Sequence, residues 1–325
     1  MDGLLVYLVV LAFSFTVTFG FLKVLIPRLK AAGIIGKDVN KPDKPEVAEM
    51  GGIAIIAGFT ASIMLVIMLD TFFGFEINLI HLLAGLIVVH SIAFIGIVDD
   101  LIDIPQYVKA VLPIFAAVPL IALRAAGSTT MAVPFIGELD FGLFYLLVLV
   151  PIGIAVASNL TNMLAGYNGL EAGMGIIIFS VASIIAYHSN ATVSSFLFLS
   201  FLGALIAFFL FNRYPAKVFP GDVGALSIGA TLATGVIIGN MESVGALLLL
   251  PYVVDFFIKL ANKLPSKEWW GEYKGGKLYP VGGKVRGFCQ LVMKLANGIS
   301  EQNLVLVFFA IEALVGIIVL LLFLH

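Results

Sequence analysis

The chain has 325 residues, of which 61% are hydrophobic and only 12% charged, with a mean hydropathy of +1.12. This composition excludes an ordinary soluble globular protein. The net charge of −2 gives no reason to expect a nucleic-acid partner, and it says nothing of orientation, which depends on where Lys and Arg lie. The single cysteine, Cys289, excludes an internal disulfide and a cysteine-built zinc site. The four histidines, His81, His90, His188 and His325, form no cluster that would suggest a histidine-built metal centre.

A membrane-spanning helix needs roughly 17–25 mostly apolar residues. The sequence offers ten such runs, at about 4–26, 51–69, 79–98, 107–123, 141–158, 172–188, 194–211, 223–240, 243–262 and 302–324. The expected fold is therefore an all-α integral membrane protein, one polytopic domain over residues 1–325. The first run lacks a charged leader and a small-residue cleavage site, so it reads as a retained helix and not as a signal peptide. Residues 124–140, with Gly127, Ser128, Pro134 and Gly137, read as a loop. No internal repeat supports a two-halved transporter.

With the termini outside, the segments at about 27–50, 99–106, 159–171, 212–222 and 263–301 become the cytoplasmic loops. That side then carries 17 of the 18 basic residues, leaving Arg124 alone opposite. Such a division is what the positive-inside rule expects of a correctly counted chain.

Three polar clusters fall on this cytoplasmic face. Asp99, Asp100 and Asp103 follow the third span, with Lys109 opening the fourth. The segment Asn159-Leu-Thr-Asn162-Met-Leu-Ala-Gly166-Tyr167-Asn168-Gly169-Leu170-Glu171 follows the fifth. Asn159 and Asn162 share a face if the helix continues through them, and Gly166 permits a tight turn close to a ligand. The third cluster runs from Asn212 through Arg213, Lys217 and Phe219 to Gly221-Asp222, at the start of the eighth span. Asp99, Asp100 and Asp222 supply hard oxygen atoms, and Asn162 adds a carboxamide oxygen. Such donors favour magnesium, with manganese as the alternative. Lys109, Arg213, Lys217 and the basic residues of the last loop suit phosphate oxygens, and a helix N-terminus at Gly221-Asp222 favours an anion. Taken singly, each cluster has a bland reading: a solvated cap, a snorkelling lysine, a topology determinant. Together they point to phosphoryl transfer with a metal bridging a diphosphate.

The motifs resemble those of the polyprenyl-phosphate N-acetylhexosamine-1-phosphate transferases. The resemblance rests on Val98-Asp99-Asp100 with Lys109, on the Asn159 to Glu171 segment, and on Tyr214-Pro-Ala-Lys217-Val-Phe219-x-Gly-Asp222. The chain looks most like the dolichyl-phosphate N-acetylglucosamine-1-phosphotransferase branch, through Gly36-Lys-Asp-Val-Asn40-Lys41, Gly276-Lys277-Leu278 and Ile299-Ser-Glu301-Gln-Asn303-Leu304. The resemblance implies attack of a lipid monophosphate on the β-phosphorus of a UDP-N-acetylhexosamine, UDP-GlcNAc being favoured, with release of UMP. It implies that Asn162 and Asp222 hold magnesium, that Lys109 contacts the phosphates, and that Asp99 and Asp100 bind or activate the lipid phosphate. Whether either aspartate acts as a base stays open, since a phosphate monoester is largely ionised near neutral pH. Asn168 and Gly166 would recognise the uracil, Phe219 would stack on it, and Glu49 with Val39 would close the pocket. Asn159 would orient Asn162 or touch a phosphate.

The chain departs from the family in its last loop. Residues 263–301 hold neither the histidine-rich motif of bacterial members nor the arginine-rich stretch of the eukaryotic branch. Lys263, Lys267, Trp269, Trp270, Lys274, Lys277 and Arg286 stand there instead, with Trp269-Trp270 equally readable as an interfacial anchor. The expected partners are a UDP-sugar, a polyprenyl or dolichyl phosphate and the bilayer, with a homodimer left open. The absence of a long insertion before the last span favours an archaeal or bacterial plasma membrane over an endoplasmic reticulum. Asp255, Glu312 and His90 read as structural.

Overall fold

The computed structural model describes residues 3–125, 128–133, 137–265 and 268–324. Apolar runs form helices because hydrocarbon offers the backbone no hydrogen-bond partner but itself. Helix α1 covers Gly3–Ala31, α2 Gly52–Phe73 and α3 Leu79–Ile102. The fourth predicted span is α4 (Gln106–Ala116) followed after Ala117 by α5 (Val118–Ala125). The fifth starts as a single turn, α6 (Gly142–Phe144), passes through a π-helical stretch at Tyr145–Leu149 and continues as α7 (Val150–Met163). Then come α8 (Leu170–His188), α9 (Thr192–Asn212) and α10 (Gly221–Ile238). Among the described residues, nine helices are long and apolar enough to cross a membrane, and one bent pair makes up to ten. The pair is α11 (Glu242–Leu248) and α12 (Leu250–Ala261), which meet at 58°. Pro251 in the first turn of α12 has no N–H to continue the preceding helix, which suits a break at Leu249. The short amphipathic α13 (Phe288–Leu295) precedes the last span, α14 (Glu301–Phe323).

The all-helical membrane architecture agrees with the sequence expectation, but several boundaries move. Helix α1 runs five residues past the predicted end, to Ala31. Asp99 and Asp100 lie inside the last turn of α3, not beyond it, with Asp103 as its left-handed C-cap. Asn159 and Asn162 ride on α7, Glu171 on α8, and Gly221 and Asp222 on the first turn of α10. The predicted loops also contain three antiparallel hairpins. Strand β1 (Ile35–Lys37) pairs with β2 (Glu46–Ala48), β3 (Thr130–Val133) with β4 (Gly137–Asp140), and β5 (Gly271–Lys274) with β6 (Lys277–Pro280). Strands of three or four residues leave almost no period in the sequence. Gly127 and Pro134 of the predicted 124–140 loop fall outside the described residues.

Helix α10 stands at the centre, with 83% of its span buried against 22% for α1. Small residues let its neighbours approach, as is usual where lipid supplies no hydrophobic drive between helices. At Gly96 of α3, an added Cβ would lie 2.5 Å from the Val223 backbone. This close crossing brings the end of α3 against the beginning of α10.

Candidate active site

At one end of the bundle, the last turns of α3 and α7 meet the first turns of α4 and α10. Asp99 Oδ1 accepts the Ile104 N–H at 2.6 Å, which closes the turn into α4. Its other oxygen lies 2.5 Å from Lys109 Nζ. The same ammonium touches Asp222 Oδ2, and it donates to the Asn162 carboxamide oxygen at 2.8 Å. The Asn162 amide in turn donates to Asp222 Oδ1 at 3.0 Å. Lys109 is therefore surrounded, with all three of its N–H donors matched to an acceptor.

Asp100 does something different. Its two carboxylate oxygens accept the backbone N–H groups of Asp222 at 2.8 Å and Val223 at 3.2 Å. Helix α10 has Pro220 at its own N-cap position and no local side chain bonded there. A carboxylate from α3 thus caps α10 across the bundle, satisfying donors that the helix leaves open and matching its dipole. A side chain at Gly221 would put its Cβ 2.5 Å from Asp100 Oδ2.

Three loops close over this cluster. Backbone pairing of Phe219 with Ala48 and Gly51, at 2.8 and 2.9 Å, joins the segment before α10 to the end of β2 and the turn into α2. Asn40 donates to the Gly166 carbonyl at 2.9 Å and accepts the Gly271 N–H at 3.0 Å, tying the last loop in. Lys41 is buried between Asp38, at 3.0 Å, and Glu301, which it contacts directly. Its ammonium also lies 4.5 Å from the centre of the Tyr214 ring. Glu171 Oε1 accepts the Gly166 N–H at 2.8 Å and holds that glycine at φ +97°.

Between the cluster and the loops is a cavity of about 900 Å³. Lys109, Asn162 and Asp222 form its polar floor, and Val39, Glu49 and Phe219 line its loop end. Its other wall is apolar, with Ala155 and Val156 from α7 and Val253, Phe256 and Phe257 from α12. Val156 and Phe257 are themselves exposed on the outside of the bundle, so this wall continues to the lateral surface. Burial, and then the charge of Asp100, push the Glu49 carboxyl above the usual carboxylate range.

Residues 79–240 match the model of glycosyl transferase family 4. A Saccharolobus solfataricus protein is 38% identical over 92% of this chain and 91% of its own length. It is provisionally named a UDP-N-acetylglucosamine–dolichyl-phosphate N-acetylglucosaminephosphotransferase. The chain belongs to glycosyl transferase family 4. A Saccharomyces cerevisiae enzyme bearing the same name, without the qualifier, is 28% identical over 71% of this chain and 62% of its own length. A phospho-N-acetylmuramoyl-pentapeptide-transferase of Halalkalibacterium halodurans is 31% identical over 73% and 76%.

Within this family 4 chain, the expected site residues divide into two groups. Lys109, Asn159, Asn162, Gly166, Phe219, Glu49, Val39 and Asp222 all line the one cavity. Asn159 is tied back to the Ala155 carbonyl at 2.8 Å and to Ala110 of α4 at 3.4 Å. Asp99 and Asp100 stand behind the lining and hold Lys109 and Asp222, where the sequence suggested contact with the lipid phosphate. Asn168, expected to read a nucleobase, is buried and turned into the framework. Its amide donates to Asp38 at 3.0 Å, its carbonyl accepts from Ala216 N–H at 2.9 Å, and its backbone N–H donates to Glu301 at 2.8 Å. With those groups engaged, it shapes the cavity from behind. Lys217 is exposed and away from the lining. Arg286 is also outside the lining, bonded to the Val281 carbonyl at 3.0 Å and paired with Glu268.

Of the last-loop residues, Lys267 lies outside the described residues. Trp269 lines the cavity, packed so tightly on Gly166 that an added Cβ there would come within 2.1 Å of its ring. The interfacial-anchor reading of Trp269 gives way to this packing. Sequence reasoning missed Lys259 as a lining residue; its only signal was an i, i+4 partner, Asp255, in an otherwise apolar span. Asp255 is structural, as expected: its Oδ1 accepts the Phe288 N–H at 2.7 Å and caps α13.

The donor set can be tested against a divalent ion. The oxygens of Asp222 and Asn162 converge on the Lys109 ammonium. A carboxylate and a carboxamide are hard donors, and magnesium commonly binds through one or two protein groups with substrate phosphates completing its shell. No group of three or more His, Cys, Asp or Glu among the described residues could enclose a metal. The residues fit an ion shared with substrate and not a closed protein cage.

Proposed function

We propose that this chain transfers N-acetylglucosamine 1-phosphate from UDP-GlcNAc to a polyprenyl or dolichyl phosphate, releasing UMP and leaving a lipid-diphospho-sugar. The observation that carries this reading is one cavity with a charged floor and an apolar wall that continues to the side of the bundle. A soluble nucleotide-sugar reaches the floor from the loop end. An acceptor with a long apolar tail enters from the bilayer and places only its phosphate on the floor.

An oxygen of the lipid phosphate forms the new bond to the β-phosphorus, and the bond from that phosphorus to the bridging oxygen breaks, so UMP leaves with the electron pair. A phosphate monoester has its second pKa near ~6, so the attacking oxygen is ionised near neutral pH and needs no protein base. The chain's own work is positioning and charge compensation, which dominate phosphoryl transfer. Asp222 and Asn162 would hold magnesium, which would neutralise diphosphate charge and orient it. Lys109 holds these two side chains together, and its positive charge on the cavity floor compensates phosphate charge at short range while its three donors stay with the protein. Asp100 fixes Asp222 through the helix end, and Asp99 fixes Lys109. Phe219, Glu49, Val39 and Gly166 form the nucleotide end. The concentration of Lys and Arg near this end supports a cytoplasmic active site, and the likeness to a Saccharolobus solfataricus protein supports an archaeal or bacterial plasma membrane.

The test is UMP release by purified protein in detergent with polyprenyl phosphate, magnesium, and UDP-GlcNAc or UDP-GalNAc. Release should need lipid phosphate and the divalent ion, favour UDP-GlcNAc, and be abolished in Asp222→Ala and Asn162→Ala. Saturable binding of the nucleotide-sugar without UMP release would refute a transferase and favour a transporter.

A further inference from the structure

We propose that Lys259 is a substrate-binding residue whose ammonium grips a phosphate oxygen, a role not assigned to it by the sequence motifs. This inference rests on the transferase reading and deepens it. Lys259 lies in the last turn of α12, the second half of the bent span, and lines the same cavity as Lys109. Its side chain is only 12% exposed. The ammonium has two partners: Asp255 Oδ2 at 2.8 Å, and the carbonyl of Met163, the residue after Asn162. An ammonium carries three N–H donors, so at least one is left over on a residue that lines the cavity. The cavity's other buried ammonium, on Lys109, has all three donors matched within the protein.

The support of Lys259 is rigid as well. Asp255 is anchored through its second oxygen to the first N–H of α13, so the aspartate cannot swing away without uncapping that helix. Met163 terminates α7 just past Asn162. The lysine is thus held at a fixed place beside the turn that carries Asn162. A buried ion pair adds little net stability once desolvation is counted, so packing energy gives no strong reason for a lysine here. A phosphate anion supplies one, because it meets the spare donor and the positive charge together. This also answers the missing last-loop basic motif, because a cation from the membrane helix enters the cavity where Lys217 and Arg286 do not. The phosphate is that of the lipid acceptor or the diphosphate of the sugar donor, and the chemistry is the same for both.

The experiment compares Lys259→Met and Lys259→Arg with wild type. It measures KM for UDP-GlcNAc and for polyprenyl phosphate separately, kcat, binding of each substrate by titration calorimetry, and thermal melting. Lys259→Met should weaken one substrate at least tenfold, in KM and in direct binding, and that substrate identifies the phosphate. Lys259→Arg, which keeps a cationic donor, should return that constant to within about threefold of wild type. If Lys259→Met melts too early to assay, Asp255→Asn/Lys259→Met is compared with Asp255→Asn, which removes the stranded carboxylate from both sides of the comparison. Equal binding of both substrates, within twofold, overturns the proposal. Wild-type protein that binds both substrates without releasing UMP would instead overturn the transferase reading, while the binding data still decide the role of Lys259.

Discussion

Asp100→Ala separates two accounts of the aspartate pair. From sequence, Asp100 handles the lipid phosphate; in the structure, it caps α10 and so places Asp222. The substitution removes the acceptor of two backbone N–H groups, at 2.8 and 3.2 Å. Hydrogen bonds to charged groups contribute about 1.5–3 kcal/mol each, and a charge at a partly buried helix end up to about 2 kcal/mol. These terms overlap, so the expected cost is about 3 kcal/mol. If all of it were felt at Asp222 in the transition state, kcat would fall about a hundredfold, at 1.36 kcal/mol per factor of ten. Some of the cost will appear as lost stability, so a kcat reduction of roughly ten- to hundredfold accompanies a lower melting temperature. KM for polyprenyl phosphate should stay within about threefold, and Asp100→Asn, which keeps one acceptor, should fall between wild type and alanine. The assay is UMP release with each substrate varied in turn, paired with thermal melting in detergent. An alanine variant that melts like wild type but has a tenfold higher KM for the lipid phosphate would refute the capping argument and restore the sequence expectation.

Gly166→Ala should cost roughly 1–3 kcal/mol from its backbone conformation alone, before the Trp269 ring moves off an incoming Cβ that would stand 2.1 Å away. A raised KM for UDP-GlcNAc with an earlier melt is expected; unchanged values for both would mean that Trp269 does not pack on this turn. For Glu49, the folded carboxyl titrates above its ordinary value because of burial and the nearby Asp100 charge. Its contribution to stability is therefore fully present below the unfolded pKa and is lost as pH rises through the raised folded one. Glu49→Gln imitates the neutral form, so melts across about pH 4 to 8 should show the variant gaining on wild type as pH rises. A difference that is flat or slopes the other way would contradict that environment for Glu49.

The sequence by itself determined the membrane class, the order of the apolar spans and the three motifs that carry the family likeness. Hydrophobicity is additive along the chain, so a span such as Leu79–Ile102 announces itself from its own residues. The motifs were readable because glycines, carboxamides and carboxylates are conspicuous beside apolar runs. Only the tertiary structure decided what each polar group is bonded to. Asp100 and Asp222 are 122 residues apart, and Lys41 and Glu301 are 260 apart; no local pattern announces such pairs. Asn168 looked like a ligand-reading residue until its partners, Asp38, Ala216 and Glu301, came from three other segments and filled its hydrogen bonds. Lys259 stood out in the sequence only by its i, i+4 spacing from Asp255, and the bend between α11 and α12 and the anchor of Asp255 set it on the cavity wall. A hydrogen-bond donor is engaged or free only in relation to neighbours brought in by folding, and that relation separates a framework residue from one that meets substrate.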